Sequence, residues 1–580
     1  MIKTLAKSIR EYKKPSLLAP LCVTVEVIFE CLMPFLIAGL VTQIERGATL
    51  DVVVKYGLLV LLMAFMSLLF GSLSGNFAAT AATGFAKNLR RDMFEKIQGF
   101  SFENINKFSS SSLVTRLTTD VSNVQMSYMM IIRAAFRFPI MFIFALIMAF
   151  YMGGKMAFIF IFTVPVLAIV LALVIMKVFP MFKRVFKKYD NLNNSIQENI
   201  KGMRVVKSYV HEAFEQEKFN RAADELRKEF TVAERIIAIN TPVFQIMLQT
   251  VMFFVMSYGS YVVITSKGMD FNVGQMSALL TYSFQILNAL MLLSMISVMI
   301  VISQEGARRI AEVLNEESSL KNPANPIYEI KDGSVKFTDV CFSYDNKNAC
   351  EDLKGVNLEI KSGETVGVIG STGSSKSTLI QMIPRLYDVD HGSVEVAGVN
   401  VKDYDIETLR DQVALVLQKN ILFSGTIKEN LRWGNDEATD EEIIEACKLA
   451  QAHNFIMEFD DGYDTMIEQG GSNVSGGQKQ RISIARSLLK KPKILILDDS
   501  TSAVDTKTDA LIRAGLKTYL PETTKIIIAQ RVASVEDADK IIVMNSGKID
   551  AIGTHEELLE TSKMYKEIYV SQTKVGDTNA

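Results

Sequence analysis

The chain has 580 residues, of which 49% are hydrophobic and 22% are charged, and its formal net charge at pH 7 is −2. This length exceeds that of one typical domain, and the nearly balanced charge argues against nucleic acid as the main partner. The five cysteines show neither a CxxC pair nor regular spacing, so the sequence predicts no disulfide framework and no zinc site.

Long apolar runs dominate the first half of the chain. Residues 1–15 form a basic amphipathic stretch, which predicts an interfacial helix on the inner membrane surface. A membrane span needs about 20 apolar residues, so we predict an all-α transmembrane domain of six helices over 16–315, with long loops at 83–125 and 181–238. The apolar runs lie near 16–41, 53–82, 126–152, 156–180, 239–265 and 273–303.

The two long loops carry most of the basic residues of this half, whereas the short connections hold only Arg46, Lys155 and Lys267. Positively charged loops tend to stay on the cytoplasmic side of a membrane. The sequence therefore predicts that the N-terminus, both long loops and the C-terminal half lie in the cytoplasm.

Four charged residues fall inside predicted spans. Glu26 and Glu30 are four residues apart in the first span, and Arg133 and Arg137 are four apart in the third, so each pair shares a helix face. Charges at this depth need a partner or an aqueous cavity. One interpretation places them in a substrate cavity. The other is a structural ion pair, or arginines that reach the inner interface.

The C-terminal half has the pattern of a soluble α/β domain. We predict a linker at 316–334, the α/β domain at 335–572 and a short tail at 573–580. Within the domain, the apolar strand ETVGVIG leads into GSTGSSKST and then a helix, which is the order typical of a phosphate-binding loop. Backbone N–H groups of such a loop point at an anion.

Side chains of this loop and of two later segments add to the phosphate site. Lys376 can reach the β- and γ-phosphates, and Ser377 can ligate Mg²⁺. The strand ILILDD ends at Asp498, which is expected to hold Mg²⁺ through water. In VSGGQKQR, two glycines follow Ser475 at a helix start and form a second anion cradle.

Taken in this order, these segments resemble the ATP-binding cassette of ABC transporters, and the six preceding spans resemble a type IV, multidrug- or lipid-exporter-like half-transporter. The resemblance implies an α/β P-loop NTPase domain fused to the membrane domain, with ATP and Mg²⁺ as cofactors. It also implies two cassettes that close head to tail over two ATP molecules. Segments 102–111 and 207–216 would be coupling helices.

The resemblance carries the family's site residues onto this sequence. Tyr344 matches the residue that stacks on adenine, and the implied ATP-binding residues are Tyr344, Gly370, Ser371, Thr372, Gly373, Ser374, Ser375, Lys376, Ser377, Thr378 and Gln418. The implied Mg²⁺ ligands are Ser377, Gln418 and Asp498. The residues implied to face the ATP of a second chain are Ser475, Gly476, Gly477 and Gln478.

Three positions depart from the family pattern. Asp499 stands where the family has its catalytic glutamate, and its carboxylate reaches about 1.5 Å less far, although a general base tolerates little displacement. Gln530 stands at the switch histidine and cannot be protonated as histidine can. Ser375 replaces a loop glycine. Together they predict a site that binds ATP but hydrolyses it slowly.

The intact VSGGQ segment implies catalysis at the opposite site. We therefore predict one subunit of a heterodimeric exporter in a bacterial inner (plasma) membrane, which moves amphipathic or apolar substrates such as a drug, lipid or peptide. Its partner would be a second half-transporter that carries the consensus Glu and His. The alternatives are a homodimeric exporter, an ATP-gated channel or regulatory nucleotide sensor, and neutral change with hydrolysis retained.

Overall fold

The computed structural model describes residues 1–345 and 350–577. The chain divides into two compact units. The first comprises Met1–Gly99 and Phe108–Glu316, and the second comprises Phe100–Lys107 together with the chain from Glu317 onward. A short stretch of the N-terminal half therefore belongs to the C-terminal unit.

Helices make up the regular structure of the first unit in the part of the chain that is described. They are α1 (Ile2–Ala6), α2 (Lys13–Glu45), α3 (Leu50–Gln98), α4 (Phe102–Phe108, most of which belongs to the second unit), α5 (Ser110–Thr115), α6 (Val121–Gly153), α7 (Ile159–Lys201), α8 (Met203–Ser208), α9 (Glu212–Ala238), α10 (Asn240–Thr265) and α11 (Val273–Asn315). Short 3₁₀ or π turns lie at Lys7–Tyr12, Arg116–Asp120 and Gly154–Phe158.

The predicted spans lie on six helices, α2, α3, α6, α7, α10 and α11. Among the described residues, five continuous helical segments are long and apolar enough to cross a membrane. The third and fourth predicted spans share one of them, Ser110–Phe182, whose 73 residues would extend about 110 Å as a straight helix. This exceeds the hydrocarbon core of about 30 Å more than threefold. The segment turns at Gly154, where φ is +47°, so it contains two spans.

Small side chains allow α2 and α3 to pack closely. Ala19 on α2 and Ala78 and Ala81 on α3 are at most 1% exposed, and Ser74 Oγ donates a hydrogen bond to the Ala19 carbonyl over 3.0 Å. Lipid supplies little hydrophobic driving force between helices, so close packing and interhelical hydrogen bonds hold them together. The α2–α3 pair follows this pattern.

An ion pair between the buried Asp120 and the partly exposed Arg309 joins the turn before α6 to the end of α11. Asp120 accepts hydrogen bonds from Arg309 Nη2 at 2.6 Å and from Arg309 Nε at 2.8 Å. Arg116 Nη1 donates to the Arg309 carbonyl over 2.7 Å. A bidentate arginine–carboxylate pair fixes both distance and orientation, so this end of α11 is held in register with α6.

The second unit contains two main sheets. Its strands are β1 (Val335–Phe342), β2 (Leu353–Ile360), β3 (Thr365–Gly370), β4 (His391–Val396), β5 (Val399–Asn400), β6 (Val413–Val416), β7 (Gly425–Thr426), β8 (Met466–Ile467), β9 (Ile494–Asp498), β10 (Thr524–Ile528), β11 (Lys540–Asn545) and β12 (Lys548–Gly553). Its helices are α12 (Lys376–Gln381), α13 (Ile406–Gln412), α14 (Ile427–Arg432), α15 (Asp440–Leu449), α16 (His453–Met457), α17 (Gly476–Leu489), α18 (Thr506–Tyr519), α19 (His555–Thr561) and α20 (Lys563–Asp577).

The larger sheet brings the predicted phosphate-binding segments together. Its strand order is β12-β11-β3-β10-β9-β6, with β12 antiparallel to β11 and the remaining pairs parallel. The strands β9 and β10 are buried throughout, as expected for central parallel strands. Ligands of such sheets bind beyond the carboxyl ends of the strands, and the loops after β3, β9 and β10 are neighbours at that edge.

The smaller sheet has the order β2-β1-β4-β5 and is antiparallel. Tyr344 follows β1, so this sheet positions the residue expected to stack on adenine. Apolar side chains of β1, β2 and β4 pack with those of β3 and α12 in one buried cluster. Both sheets therefore share a core beneath the phosphate-binding loop.

Candidate active site

The loop between β3 and α12 has the backbone that a phosphate cradle requires. A Cβ at Gly370 would lie 2.3 Å from the Met544 carbonyl oxygen, so only glycine fits there, and Gly373 has a φ of +80°. Ser375 precedes α12 with φ 70° and ψ 26°. This left-handed conformation is strained for a residue with a Cβ, and it explains why the family pattern has glycine at this position.

Lys376 lies across the loop. Its Nζ donates hydrogen bonds to the carbonyl oxygens of Gly370 and Ser371, both at 2.9 Å, and to Ser374 Oγ at 3.3 Å. Burial lowers the pKa of Lys376, while the nearby carboxylates of Asp498 and Asp499 act in the opposite direction. The ammonium group is therefore held at the mouth of the loop, where an anion can exchange for the carbonyl contacts.

Ser377 and Asp498 meet at the start of α12. Ser377 Oγ donates a hydrogen bond to Asp498 Oδ1 over 3.0 Å, and Asp498 is 5% exposed. Burial raises the pKa of Asp498, the Ser377 hydroxyl and Lys376 lower it, and the charge of Asp499 raises it. The structure thus brings together two of the three predicted Mg²⁺ ligands.

Asp499 lies at the centre of the site. Its Oδ2 accepts a hydrogen bond from Gln418 Nε2 at 3.0 Å and another from Gln530 Nε2 at 2.9 Å. The Asp499 backbone is left-handed, with φ 48°, and the residue is 7% exposed. Two residues that are far apart in sequence, Gln418 and Gln530, therefore converge on one carboxylate oxygen of Asp499. Gln418, the third predicted metal ligand, turns its amide nitrogen toward that oxygen.

Tyr344 lies beside the phosphate-binding helix. Its hydroxyl donates to Gln381 Oε1 on α12 at 3.1 Å, and its ring is nearly perpendicular to those of Phe342 and Tyr387, with centroid distances of 4.9 and 5.2 Å. The side chain is partly buried, which raises the pKa of Tyr344. The residue remains 43% exposed, so part of the ring is open to a ligand.

The VSGGQ segment caps α17. Ser475 Oγ accepts from the Gln478 backbone N–H, and Gln478 Oε1 accepts from the Ser475 backbone N–H over 2.8 Å, which forms a capping box. A Cβ at Gly477 would lie 2.8 Å from the Ala503 carbonyl oxygen. The second glycine is therefore needed for close approach of the segment after β9. Ser475 and Gly476 are exposed.

Comparison with known proteins decides the family. The family model described as ABC transporter transmembrane region matches residues 16–290, and the model described as ABC transporter matches residues 353–502. The chain is 35% identical over 569 residues to the uncharacterized ABC transporter ATP-binding protein YfiB of Bacillus subtilis, covering 98% of each chain. It is 32% identical over 579 residues to Rv1273c of Mycobacterium tuberculosis, also described as an uncharacterized ABC transporter ATP-binding protein, covering 99% of this chain and 98% of that one. The chain belongs to the ABC transporter family.

A solved structure gives the same answer for the fold of this ABC transporter. The structure of a bacterial Atm1-family ABC exporter with ATP bound aligns with a TM-score of 0.82 at 23% identity, covering 97% of this chain and 98% of that one. The predicted fold class, a helical transmembrane domain fused to an α/β nucleotide-binding domain, is confirmed. An ABC ATP-binding domain implies binding of ATP with Mg²⁺ and transport ATPase activity.

The residues around the phosphate-binding loop of this ABC transporter fit both ATP and Mg²⁺. Among residues 1–345 and 350–577, no cluster of three or more His, Cys, Asp or Glu side chains could hold a metal ion. Mg²⁺ in sites of this kind is bound by one or two carboxylates, substrate phosphates and water. The Ser377 hydroxyl and the Asp498 carboxylate supply such oxygens beside the Lys376 ammonium.

The transporter's four intramembrane charges are partly paired. Arg137 Nη1 donates to Glu26 Oε1, and Arg137 Nη2 donates to Glu30 Oε2 over 2.6 Å. A Cβ at Gly71 on α3 would lie 2.9 Å from the Glu26 carboxyl group. Arg133 is exposed and lies near Gly75. Three of the four charges thus form one ion-paired cluster between α2 and α6.

Two residues at this site were not singled out from the sequence. Gln480 is 5% exposed, and its Oε1 accepts from the Ala503 N–H over 3.0 Å, which joins α17 to the segment after β9. Tyr387 contacts Tyr344, and its hydroxyl accepts from Asn106 Nδ2 over 3.0 Å. The sequence signal for Gln480 is its place in the QKQR run directly after the two glycines, whereas Tyr387 stands in no motif.

Proposed function

We propose that this chain is one subunit of a heterodimeric ABC exporter that moves amphipathic or apolar substrates, such as a drug, lipid or peptide, out of a bacterial cell. Its own ATP site binds nucleotide and hydrolyses it slowly. The observation that carries this proposal is the state of Asp499, whose Oδ2 accepts hydrogen bonds from both Gln418 and Gln530.

Two features weaken Asp499 as a general base. Its carboxylate is one methylene, about 1.5 Å, shorter than that of glutamate, and a base must lie within hydrogen-bond reach of the water that it activates. In addition, the Oδ2 lone pairs are directed at two amide donors. A water molecule would have to displace one of these amides before it could donate to that oxygen.

Binding of ATP should survive these changes. Lys376, Ser377 and Asp498 keep the chemistry that phosphates and Mg²⁺ require, and Tyr344 presents an open aromatic ring. Ser377 and Asp498 would hold Mg²⁺, which would neutralise negative charge on the phosphates. Residues 370–378 and Gln418 are proposed to surround the nucleotide, with Gln530 in place of the histidine that contacts the γ-phosphate.

The intact capping box at Ser475–Gln478 supports a catalytically active ATP site that this chain would complete on a second chain. Its exposed Ser475 and Gly476 lie at the N-terminus of a 14-residue helix, where backbone N–H groups and the helix dipole favour phosphate. We propose that this end of α17 completes the active site of a partner half-transporter that carries the consensus Glu and His. Hydrolysis would then occur mainly at that composite site.

In the membrane half, the ion-paired cluster separates the candidate cavity residues into two groups. Arg137 forms ion pairs with both Glu26 and Glu30, which supports a structural role for these three residues. Arg133 is exposed on the same helix as Arg137 and is the better candidate for contact with substrate. Its guanidinium group would suit the polar end of an amphipathic molecule.

Chain-resolved nucleotide analysis tests the proposal. The transporter is purified from its source membranes through a tag on this chain, turned over with Mg²⁺ and α-³²P-labelled azido-ATP, and photo-crosslinked. We expect two half-transporters in equal amount, with triphosphate on this chain and diphosphate on the other. Recovery of this chain alone, or diphosphate on both chains, would overturn the proposal.

A further inference from the structure

Aromatic residues fix the C-terminal helix α20 to the rest of the second unit. Tyr565 is fully buried, and its hydroxyl lies 2.7 Å from His555 Nδ1. The Tyr569 ring lies against the same histidine at a centroid distance of 5.3 Å, and Ile568 packs against the main apolar core. These contacts therefore fix the position of the helical turn that carries Gln572 relative to the core of the second unit.

Gln572 makes two hydrogen bonds with the backbone that follows β10. Its Oε1 accepts from the Val532 N–H over 2.8 Å, and its Nε2 donates to the Gln530 carbonyl oxygen over 2.7 Å. Both distances are those of good hydrogen bonds. The amide orientation follows from the partners, because a flipped amide would set donor against donor and acceptor against acceptor.

These bonds hold the turn between two ordered elements. The strand β10 ends at Ile528, the Ala529 N–H still bonds to the Val368 carbonyl, and a 3₁₀ turn begins at Val532. Between them, the Gln572 side chain supplies the partners for the Gln530 carbonyl and the Val532 N–H. In sequence α20 is remote from this turn, yet it sets the backbone from which the Gln530 side chain reaches Asp499.

We infer that Gln572 is a positioning residue that fixes the turn after β10 and so keeps the Gln530 amide on Asp499. The inference deepens the proposed function, since it relies on Gln530 acting in the nucleotide site. It makes α20 part of the machinery that sets how long ATP stays bound. Any change that lifts α20 from this turn would release Gln530.

The first test measures the two Gln572 hydrogen bonds by hydrogen–deuterium exchange in the full-length chain in lipid nanodiscs. Gln572→Leu removes both hydrogen bonds, and we expect exchange of the Val532 amide to rise about tenfold, with β9 unchanged. Gln572→Glu keeps an acceptor for the Val532 N–H but sets a carboxylate oxygen against the Gln530 carbonyl oxygen, so it should restore only part of the protection. Ser571→Ala, which removes a hydroxyl bonded only within α20, should leave exchange unchanged. Equal exchange in Gln572→Leu and the unaltered chain would overturn the inference.

The second test asks whether Gln572 acts through Gln530. The dissociation rate of MgATP is measured for the unaltered chain, Gln572→Leu, Gln530→Ala and the double variant. We expect Gln572→Leu to speed release about three- to tenfold, and to have no further effect once Gln530 is alanine. Equal effects in both backgrounds, or no effect in either, would contradict the inference. If Gln530→Ala alone leaves release unchanged while the Val532 amide responds as expected, the failure lies in the proposed role of Gln530.

Discussion

Replacement of Asp499 by glutamate tests whether the aspartate limits ATP hydrolysis at this site. The substitution extends the carboxylate by about 1.5 Å, and a displacement of about 1 Å at a reacting group can cost roughly 10²-fold in rate. Part of this gain is lost, because residue 499 has φ 48° and aspartate tolerates the left-handed region better than glutamate does. A strain of about 1 kcal/mol corresponds to about a fivefold loss of rate, so we expect the hydrolysis rate to rise by roughly 20-fold in total.

The assay must count only this chain's own site. Ser475→Ala should weaken the composite site that we propose for the VSGGQ segment, so it serves as the parent for all variants. Phosphate release from saturating MgATP is then measured with the whole transporter in nanodiscs. Gln530→His adds a donor that can carry charge, and Ser375→Gly removes a strain of about 1–2 kcal/mol from the left-handed position before α12.

Asp499→Asn is the matched control, because it keeps the size of the side chain but cannot accept a proton. It should show no gain over the parent. If the variant that combines glutamate at 499, histidine at 530 and glycine at 375 also turns over no faster than the parent, these three positions do not limit hydrolysis, and the reasoning fails.

Three further expectations follow from contacts elsewhere in the chain. Gly71→Ala places a methyl group 2.9 Å from the Glu26 carboxyl and should lower the free energy of unfolding by about 1–3 kcal/mol, measured by thermal unfolding in detergent; an unchanged melting temperature would contradict the close approach. Asp499→Asn removes a negative charge that raises the pKa of Asp498, so the pKa of Asp498 should fall. Mg²⁺-dependent binding of fluorescent ATP should then persist to lower pH. If the pH midpoint of binding stays the same or rises, the two carboxylates are not coupled. Tyr387→Phe removes the acceptor for the hydrogen bond from α4 and should lower substrate moved per ATP hydrolysed in proteoliposomes, with ATP affinity nearly unchanged; full coupling would show that this bond transmits nothing.

The sequence predicted the class of fold well because the two halves have different periodicities and different polarity. Phosphate chemistry also constrains local sequence strongly, so the loop at 370–378 and the strand that ends at Asp498 could be located without a structure. Composition also separated the third span from the fourth, at the boundary between α6 and α7. Their helices run on through Ser110–Phe182, and a turn at Gly154 is set by backbone geometry that hydropathy does not report.

Contacts between distant residues could not be read from the sequence in the same way. That Gln418 and Gln530 meet on one oxygen of Asp499 depends on the strand order of the larger sheet, in which β9 lies between β10 and β6. The pairing of Arg137 with both Glu26 and Glu30 depends on how α2 and α6 pack. Four-residue spacing predicted shared helix faces but could not choose between an ion pair and a cavity.

The central claim is that this chain binds ATP but needs another chain for rapid hydrolysis. The most direct measurement is steady-state turnover of saturating MgATP by the purified full-length chain in nanodiscs, with no second half-transporter present. The account predicts saturable ATP binding with turnover far below about 1 s⁻¹, the lower end of ordinary enzymes. Turnover on the order of 10 s⁻¹ by the chain alone would contradict it.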